Sequence, residues 1–323
     1  MKKLLEVRDL KIYYPVRENR GVRTIKKQLK AVDGVSFDVY EGETFGIVGE
    51  SGCGKTTTGK AIVRLLKPTA GEILFDGQDI HRKAARADQK ELARQIQLIF
   101  QDPYSSLDPR FTVGRIIGEP LAVHGSLSRT QQREKVLSLM EDVGLGAQQY
   151  AKFPHEFSGG QRQRIGVARA LALNPRLIVC DEPVSALDVS IQAQILNLLQ
   201  DLQQKYSLTY IFISHNLSVV KHLCNRIMVM YLGNIVELCS SDELFENAQH
   251  PYSKALLAAI PVPDPDHPRE VEGLEGDVPS PIDPPSGCCF RTRCPYAEER
   301  CAQEKPVLRD VGNGHMVACH KRS

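Results

Sequence analysis

A glycine-rich segment in the first quarter of the chain carries residues that could hold phosphate. Gly49-Glu50-Ser51-Gly52-Cys53-Gly54-Lys55-Thr56 fits the pattern G-x-x-x-x-G-K-[ST] and lies between an apolar strand and an amphipathic helix. Its glycines let backbone N–H groups curl around phosphate oxygens, and the helix N-terminus adds the positive end of its dipole. Lys55 can bridge β- and γ-phosphates, and the Thr56 hydroxyl can ligate Mg²⁺. The predicted nucleotide contacts are Gly49, Glu50, Ser51, Gly52, Cys53, Gly54, Lys55, Thr56 and Thr57.

A second group of chemically active residues follows the apolar strand Leu177–Cys180. Asp181 at that strand end can reach Mg²⁺ directly or through water, and Glu182 beside it can polarise an attacking water. A solvated acidic turn before Pro183 would explain an isolated Asp-Glu pair, but this pair lies downstream of a phosphate loop. An alternative role keeps Glu182 as a residue that orients water without taking its proton.

Composition limits the kinds of protein that this chain can be. The 323 residues are 42% hydrophobic and 25% charged, with a formal net charge of +2, so bulk charge gives no reason to expect a nucleic-acid partner. The charged start Met1-Lys2-Lys3 predicts no signal peptide, and no apolar run approaches the roughly 18–20 residues that span a bilayer. We therefore expect a reducing compartment, where the nine cysteines favour metal or cluster binding over disulfides.

Alternating strand and helix patterns predict an α/β fold with a mostly parallel sheet covered on both faces. Residues 4–14 and 31–48 are predicted to be β-rich, with Arg17–Lys30 as a hairpin loop, and a helix is predicted from Lys55 through Leu66. Residues 104–157 are mostly helical in pattern, which indicates an inserted helical subdomain at about 104–160.

Composition changes after about residue 248, where prolines crowd one stretch ahead of a cysteine-rich tail. We predict a nucleotide-binding domain over 1–248, and an extended proline-rich connection with a cysteine-rich extension over 249–323. The whole fold prediction is a P-loop ATPase core with an N-terminal antiparallel β subdomain, the helical insert and an irregular C-terminal extension.

The segment Phe157-Ser158-Gly159-Gly160-Gln161 lies between the phosphate loop and the acidic strand end, and in that order it resembles the signature of the ABC-transporter ATPases. The resemblance covers roughly residues 4–248, with leucine commoner than Phe157 in the family. It implies that Ser158, Gly159, Gly160 and Gln161 of one ATPase subunit close over the ATP held by another. It also implies that Ser185-Ala186-Leu187-Asp188 communicates across that dimer.

Further positions match the same family. Gln101 stands where the family's glutamine contacts Mg²⁺ and senses the transporter, and His215 matches the histidine that contacts the γ-phosphate. Asn216 follows it where aspartate is usual. Tyr14 matches the aromatic residue that stacks on adenine, although Tyr13 is adjacent. The resemblance thus implies Glu182, His215, Gln101 and Lys55 as catalytic residues, and Thr56, Gln101 and Asp181 around Mg²⁺.

The cysteine tail has the spacing C-x5-C-x6-C-x17-C at Cys288, Cys294, Cys301 and Cys319. The spacing alone leaves zinc, a 4Fe-4S cluster and free buried thiols open. His250-Pro251-Tyr252, the prolines and Gly287-Cys288 are similar to the C-terminal extension of dipeptide/oligopeptide-importer ATPases. That resemblance implies a 4Fe-4S cluster on the four cysteines, with Cys289 as an alternative to Cys288.

The expected function is an ATP-hydrolysing subunit that energises peptide import at the cytoplasmic face of the cell membrane. The resemblance implies a second ATPase subunit, more often a different chain than a copy, and an extracytoplasmic peptide-binding protein. It also implies two integral-membrane permease subunits, which dock near Gln101–Leu107 and the helical insert. Import of nickel or another small solute, a soluble non-transport ABC ATPase and a redox enzyme built on the cysteines are the alternatives.

Overall fold

The computed structural model describes residues 2–20, 23–82, 86–102, 104–124, 127–260 and 276–322. The strands are β1 (Lys3–Arg20), β2 (Arg23–Tyr40), β3 (Thr44–Val48), β4 (Ala70–Phe75), β5 (Gln78–Asp79), β6 (Ile96–Ile99), β7 (Leu177–Asp181), β8 (Thr209–Ser214), β9 (Arg226–Tyr231), β10 (Asn234–Ser240), β11 (Arg309–Asp310) and β12 (Met316–Val317). The helices are α1 (Lys55–Ile62), α2 (Arg86–Gln95), α3 (Val113–His124), α4 (Arg129–Asp142), α5 (Gly159–Leu171), α6 (Val189–Tyr206), α7 (Leu217–Leu223), α8 (Ser241–Asn247), α9 (Pro251–Ala258) and α10 (Glu299–Gln303).

The chain forms two compact units, each built from several chain segments. The helical unit comprises residues 1–2, 40–43 and 82–213, and the phosphate-loop unit comprises residues 3–39, 44–81 and 214–323. Segments of the two units alternate along the sequence. The units are defined by contacts between residues, so they do not correspond to the predicted division into 1–248 and 249–323. That division was drawn from composition and stays a prediction.

The phosphate-loop unit contains two groups of strands. One is a four-stranded sheet in the order β2-β1-β4-β5, in which β1 pairs with β4 and β4 with β5 in antiparallel fashion. The other runs β11-β12-β10-β9-β3, with β3 and β9 parallel and the other pairs antiparallel. The first sheet is the predicted N-terminal antiparallel subdomain, and the extension adds β11 and β12 to the edge strand β10.

The helical unit contains the three parallel strands β8, β7 and β6, in that order. Every residue of β7 and β8 is buried, as expected where both faces of a parallel sheet are covered. Helices α3 and α4 and the N-terminal turn of α5 form the predicted helical insert. The predicted fold is therefore confirmed in its main parts.

Two boundaries predicted from the sequence are wrong. The predicted hairpin loop Arg17–Lys30 is largely strand, because β1 continues to Arg20 and β2 begins at Arg23; Gly21 and Val22 lie outside the described residues. The long ribbon formed by β1 and β2 was not predicted because its residues there are basic and polar. A solvent-exposed strand needs no alternation of apolar and polar residues. Helix α1 ends at Ile62, before Leu65 and Leu66, and the side chain of Leu65 is 57% exposed.

Only part of the proline-rich connection can be compared with the structure. Pro251 begins α9, where its missing N–H and fixed φ suit the first turn of a helix. The prolines at Pro261, Pro263, Pro265 and Pro268 lie outside the described residues, so the predicted extended connection there stays a prediction.

The extension is fastened to β9 and β10 by an aromatic cluster and a buried carboxylate. The rings of Tyr231 and Phe290 meet edge-on at 5.2 Å between centroids, and Tyr252 packs against both. Glu237, which is fully buried, lies 2.6 Å from His315 Nε2 and accepts backbone hydrogen bonds from Gln249 and His250. Each carboxylate oxygen therefore has a hydrogen-bond partner, as buried polar groups require.

Candidate functional site

The phosphate loop has a backbone that requires glycine at its two ends. The fully buried strand β3 runs into Gly49 at φ 147°, and Gly54 at φ 106° precedes α1. A Cβ at Gly49 would lie 2.2 Å from the Met230 carbonyl oxygen, and one at Gly54 would lie 2.3 Å from the Ala31 carbonyl oxygen. The loop is therefore wedged against neighbouring backbone, which fixes its curvature before any ligand arrives.

Lys55 lies inside this loop rather than in solvent. Its side chain is almost fully buried, and Nζ donates to the carbonyl oxygens of Gly49 at 2.8 Å and Glu50 at 2.9 Å. The ammonium group thus lies at the concave side of the loop, where phosphate oxygens could replace carbonyl oxygens. Cys53 is buried beside it, and burial raises the pKa of its thiol, so it acts as a packed neutral group.

Two further predicted residues belong to the same unit. His215 is exposed directly after β8, and Asn216 caps α7 by accepting from the Ser218 N–H at 3.0 Å. The adjacent tyrosines differ in their surroundings. The Tyr13 hydroxyl donates to Asp33, and burial raises its pKa, whereas the ring of Tyr14 is 37% exposed. Tyr14 is therefore the tyrosine with an open face for stacking.

The acidic strand end is a second group of candidate residues, and it belongs to the helical unit. Asp181 is the last residue of β7 and is buried, and Glu182 follows at φ 46°, which a non-glycine residue rarely adopts. The Glu182 N–H donates to the Ile213 carbonyl at 3.0 Å, which holds this turn. Gln101 Nε2 donates to Glu182 Oε2 at 3.0 Å. Two residues predicted independently, 81 positions apart, are thus brought into contact.

The signature segment begins α5. Ser158 is the N-cap, and a reciprocal pair of bonds with Gln161 forms a capping box, with the Gln161 N–H donating to Ser158 Oγ at 3.4 Å. Ser158 is exposed, whereas Gly160 is buried under α6, where a Cβ would lie 2.5 Å from Ile191 Cγ2. Ser158 and the Gly159 and Gly160 amides stand at the N-terminus of a 13-residue helix, an arrangement that suits an anion, whereas the Gln161 and Arg162 amides already donate to Ser158.

Two residues that the sequence analysis gave no such role, Arg293 and Tyr252, contact the loop through Glu50. Arg293 donates to both carboxylate oxygens of Glu50, at 2.8 Å and 3.2 Å, and the Glu50 N–H donates to the Tyr252 hydroxyl at 2.9 Å. Tyr231 packs against Tyr252 and lies 6.0 Å from the Arg293 guanidinium. The sequence carries no signal for the Glu50 pair, because its members are 243 positions apart and neither completes a motif.

The four tail cysteines line one small cavity together with Phe290 and His250. Cys289 instead lies against the Tyr231 carbonyl oxygen at 3.8 Å and lines a different cavity. The chain segment is folded by a 2.7 Å backbone hydrogen bond from Cys288 to Cys301. Among the described residues, the group of ligand atoms lying within 4.8 Å of one another is not these thiols but Glu237, Cys239 and His315.

Comparison with known proteins shows the family to which the chain belongs. The family model described as ABC transporter matches residues 32–185, and that described as oligopeptide/dipeptide transporter, C-terminal region, matches residues 236–301. The chain is 54% identical to "Oligopeptide transport ATP-binding protein OppF" of Salmonella typhimurium, over 99% of this chain and 96% of that protein. It is 51% identical to "Oligopeptide transport ATP-binding protein AppF" of Bacillus subtilis, over 98% and 97%. The chain belongs to the ABC-transporter ATPase family.

Solved structures agree with this family. CbiO1 from Clostridium perfringens, part of the ABC transporter complex CbiONQ, has a TM-score of 0.64 at 27% identity and covers 76% of this chain and 92% of its own. The ATP-binding cassette MJ0796, described as a dimer bound to ADP and Pi, has a TM-score of 0.64 at 27% identity over 74% of this chain and 99% of its own. The sequence and structure comparisons thus both show the fold of an ABC ATPase cassette. The predicted enzyme class, an ATPase, is confirmed.

The prediction of an iron–sulfur cluster in this ABC ATPase is wrong. The matching family descriptions and the names of the relatives are those of ATP-binding transport proteins, and none of them describes such a cluster. The zinc alternative has no support either, because one tetrahedral zinc ion draws its thiolates closer together than 4.8 Å, and the tail thiols do not form such a group. Burial raises the pKa of Cys288 to about 11, as in a packed neutral thiol.

None of the helices in the part of the chain that the structure describes is long and apolar enough to cross a membrane.

Proposed function

We propose that this chain is the ATP-hydrolysing subunit of an importer for oligopeptides or dipeptides. One structural observation carries the hydrolytic part: Glu182, at the end of a buried parallel strand, is held by Gln101 at 3.0 Å in a chain that also folds a phosphate loop. Two relatives that match nearly the full length of the chain are named oligopeptide transport ATP-binding proteins, and the extension matches the family model of such transporters.

The residues of the site divide the work between binding and hydrolysis. The phosphate loop binds the triphosphate of ATP through its amides and through Lys55, Thr56 and Thr57. Tyr14 stacks on the adenine. Glu182 accepts a proton from, or orients, the attacking water, and His215 contacts the γ-phosphate. Most of the rate enhancement comes from such positioning and charge stabilisation, because a loose phosphoryl-transfer transition state needs little covalent assistance.

The donor set fits magnesium. The Thr56 hydroxyl, the Gln101 amide oxygen and the Asp181 carboxylate are all oxygen ligands, which Mg²⁺ prefers. When bound, Mg²⁺ would neutralise charge on the phosphates. Gln101 would contribute its amide oxygen to the metal, and its Nε2 donates to Glu182 Oε2 at 3.0 Å.

Ser158, Gly159, Gly160 and Gln161 bind the ATP of a partner ATPase, since an exposed serine cap and glycine amides at a helix N-terminus suit phosphate oxygens. ATP then holds two such subunits together and hydrolysis releases them. We propose a heterodimer, docked on two permease subunits at the cytoplasmic face of the membrane and served by an extracytoplasmic peptide-binding protein.

Transport assays test the proposal directly. The chain, its partner ATPase and the permease subunits are purified from membranes by a tag on this chain and reconstituted in liposomes with the binding protein. We expect peptide to stimulate ATP hydrolysis and to be imported. Stimulation by nickel but not by any peptide would support the alternative solute, and recovery of this chain with ribosomes or DNA in place of permease subunits would reject transport.

A further inference from the structure

The phosphate loop carries a negative charge of its own. Glu50 occupies the first variable position of the loop, directly after Gly49, and its carbonyl oxygen accepts from Lys55 Nζ at 2.9 Å. ATP carries several negative charges, and like charges repel across the distances within such a loop. An uncompensated carboxylate at this position would therefore oppose the binding of ATP.

Arg293 compensates that charge from the C-terminal extension. Its guanidinium makes a bidentate pair with Glu50, at 2.8 Å and 3.2 Å, and its side chain is only 6% exposed. Bidentate pairs between arginine and a carboxylate are among the strong, geometrically specific hydrogen bonds in proteins. The pair is weakly screened because the guanidinium is buried and the carboxylate is 29% exposed.

Neighbouring groups fix this pair in place. The Tyr252 hydroxyl accepts from the Glu50 N–H at 2.9 Å, and the ring of Tyr231 lies 6.0 Å from the Arg293 guanidinium. Tyr231 and Tyr252 belong to the cluster that also packs Phe290, three residues before Arg293. The side chain of Arg293 therefore reaches the loop from a rigid base.

We propose that Arg293 is a positioning residue of the nucleotide site, which neutralises and orients Glu50 so that the phosphate loop binds ATP. The C-terminal extension then contributes to nucleotide affinity, a role separate from the choice of transported solute. The inference rests on the proposed ATP site at this loop. If Arg293 only attached the extension to the rest of the protein, its effect on ATP binding would not depend on the charge of Glu50. In the proposed role, Arg293 is needed because Glu50 is negatively charged.

The test measures the Kd of the full chain for ADP and for a non-hydrolysable ATP analogue with Mg²⁺, by calorimetry at low and high salt. Arg293→Met should weaken binding by about five- to tenfold, less so at high salt, because the Glu50 carboxylate is left uncompensated. Glu50→Gln combined with Arg293→Met should bind at least about threefold more tightly than Arg293→Met alone, because no carboxylate is then left uncompensated. Arg293→Lys keeps the charge but cannot make the bidentate pair, so its affinity should lie between those of Arg293→Met and wild type. Arg300→Met is the matched control and should bind as wild type does, since Arg300 pairs with the exposed Glu304.

The outcomes separate the inference from the proposed function. A double variant that binds no more tightly than Arg293→Met, or an Arg293→Met variant that binds like wild type, would overturn the role of charge. An Arg293→Lys variant as weak as Arg293→Met overturns it even if the double variant does not fold. Failure of the wild-type chain to bind any adenine nucleotide would instead reject the proposed ATP site.

Discussion

Gln101 Nε2 donates a hydrogen bond of 3.0 Å to Glu182 Oε2, which links the residue predicted to sense the transporter to the residue predicted to activate water. Glu182 has a left-handed backbone at φ 46°, so its position is set by the turn after β7 as well as by this contact. A displacement of Gln101 would change the surroundings of the Glu182 carboxylate directly. In the proposed importer, this contact would connect the docking of permease subunits to hydrolysis.

Replacement of Glu182 tests its role in hydrolysis. We expect Glu182→Gln to bind ATP but to hydrolyse it at least about 100-fold more slowly, because the amide cannot accept a proton from water. The ATP-bound dimer should accumulate in size-exclusion chromatography with ATP and Mg²⁺. The control is Glu134→Gln on the exposed face of α4, which should hydrolyse ATP normally. Normal hydrolysis by Glu182→Gln in the assembled transporter would contradict the assignment.

Replacement of Gln101 tests the contact itself. Gln101→Ala removes the donor to Glu182, and we expect hydrolysis to fall about tenfold with nucleotide binding retained. Gln101→Glu places a second carboxylate against Glu182, so the pKa of one of the pair should rise and the pH–rate profile should move to higher pH. Stopped-flow or steady-state rates from pH 6 to 9 give the measurement. A Gln101→Glu profile that coincides with that of wild type would show that the two side chains do not interact during turnover.

Two glycines of the same helix provide a matched pair of variants for the signature. A Cβ at Gly160 would lie 2.5 Å from Ile191 Cγ2, whereas a Cβ at Gly166 would meet nothing within 4 Å. We expect Gly160→Ala to shift the start of α5 against α6 and to lower hydrolysis at least about tenfold. Gly166→Ala should keep full activity and raise the unfolding free energy by about 0.5–1 kcal/mol. Equal activities of the two variants would argue against a role for the signature geometry.

Acid should weaken the attachment of α9 through His250. Burial lowers the pKa of His250 to about 3, and its Nδ1 accepts from the Tyr252 N–H at 3.1 Å, which requires the neutral ring. The unfolded chain binds a proton near pH 6.5 while the folded chain does not. The stabilising contribution is therefore present above pH 6.5 and is lost as pH falls towards 3, by up to about 1.4 kcal/mol per pH unit.

Urea unfolding between pH 7.5 and 5 measures this loss. His250→Asn keeps a side chain that can cap α9 but does not titrate, so we expect a flatter dependence of unfolding free energy on pH. His222→Asn, an exposed position on α7, should retain the wild-type slope. A His250→Asn slope equal to that of wild type would mean that other groups carry the acid sensitivity.

The sequence alone was enough to predict the parts of this protein in which the chemistry requires particular residues at a particular spacing. Gly49–Thr56, the signature and the strand end at Asp181-Glu182 are short motifs in which residue type and spacing follow from phosphate chemistry. The apolar strands were recognisable because both faces are buried. These features were enough to predict the family and the ATPase activity, and the comparisons confirmed both.

Only the tertiary structure shows the contacts between residues that lie far apart in the sequence. The long ribbon of β1 and β2 was missed because exposed strands lack apolar alternation. The iron–sulfur cluster, which the resemblance of the cysteine tail implied, is contradicted by the comparisons. The contact of Gln101 with Glu182 and that of Arg293 with Glu50 join residues 81 and 243 positions apart. Spacing along a chain carries no information about such pairs, since only the folded sheets and the packed extension bring the paired side chains together. The motifs in the sequence therefore show which residues, such as Glu50 and Glu182, have the side chains for this chemistry. Their contacts with Arg293 and Gln101 depend on tertiary packing.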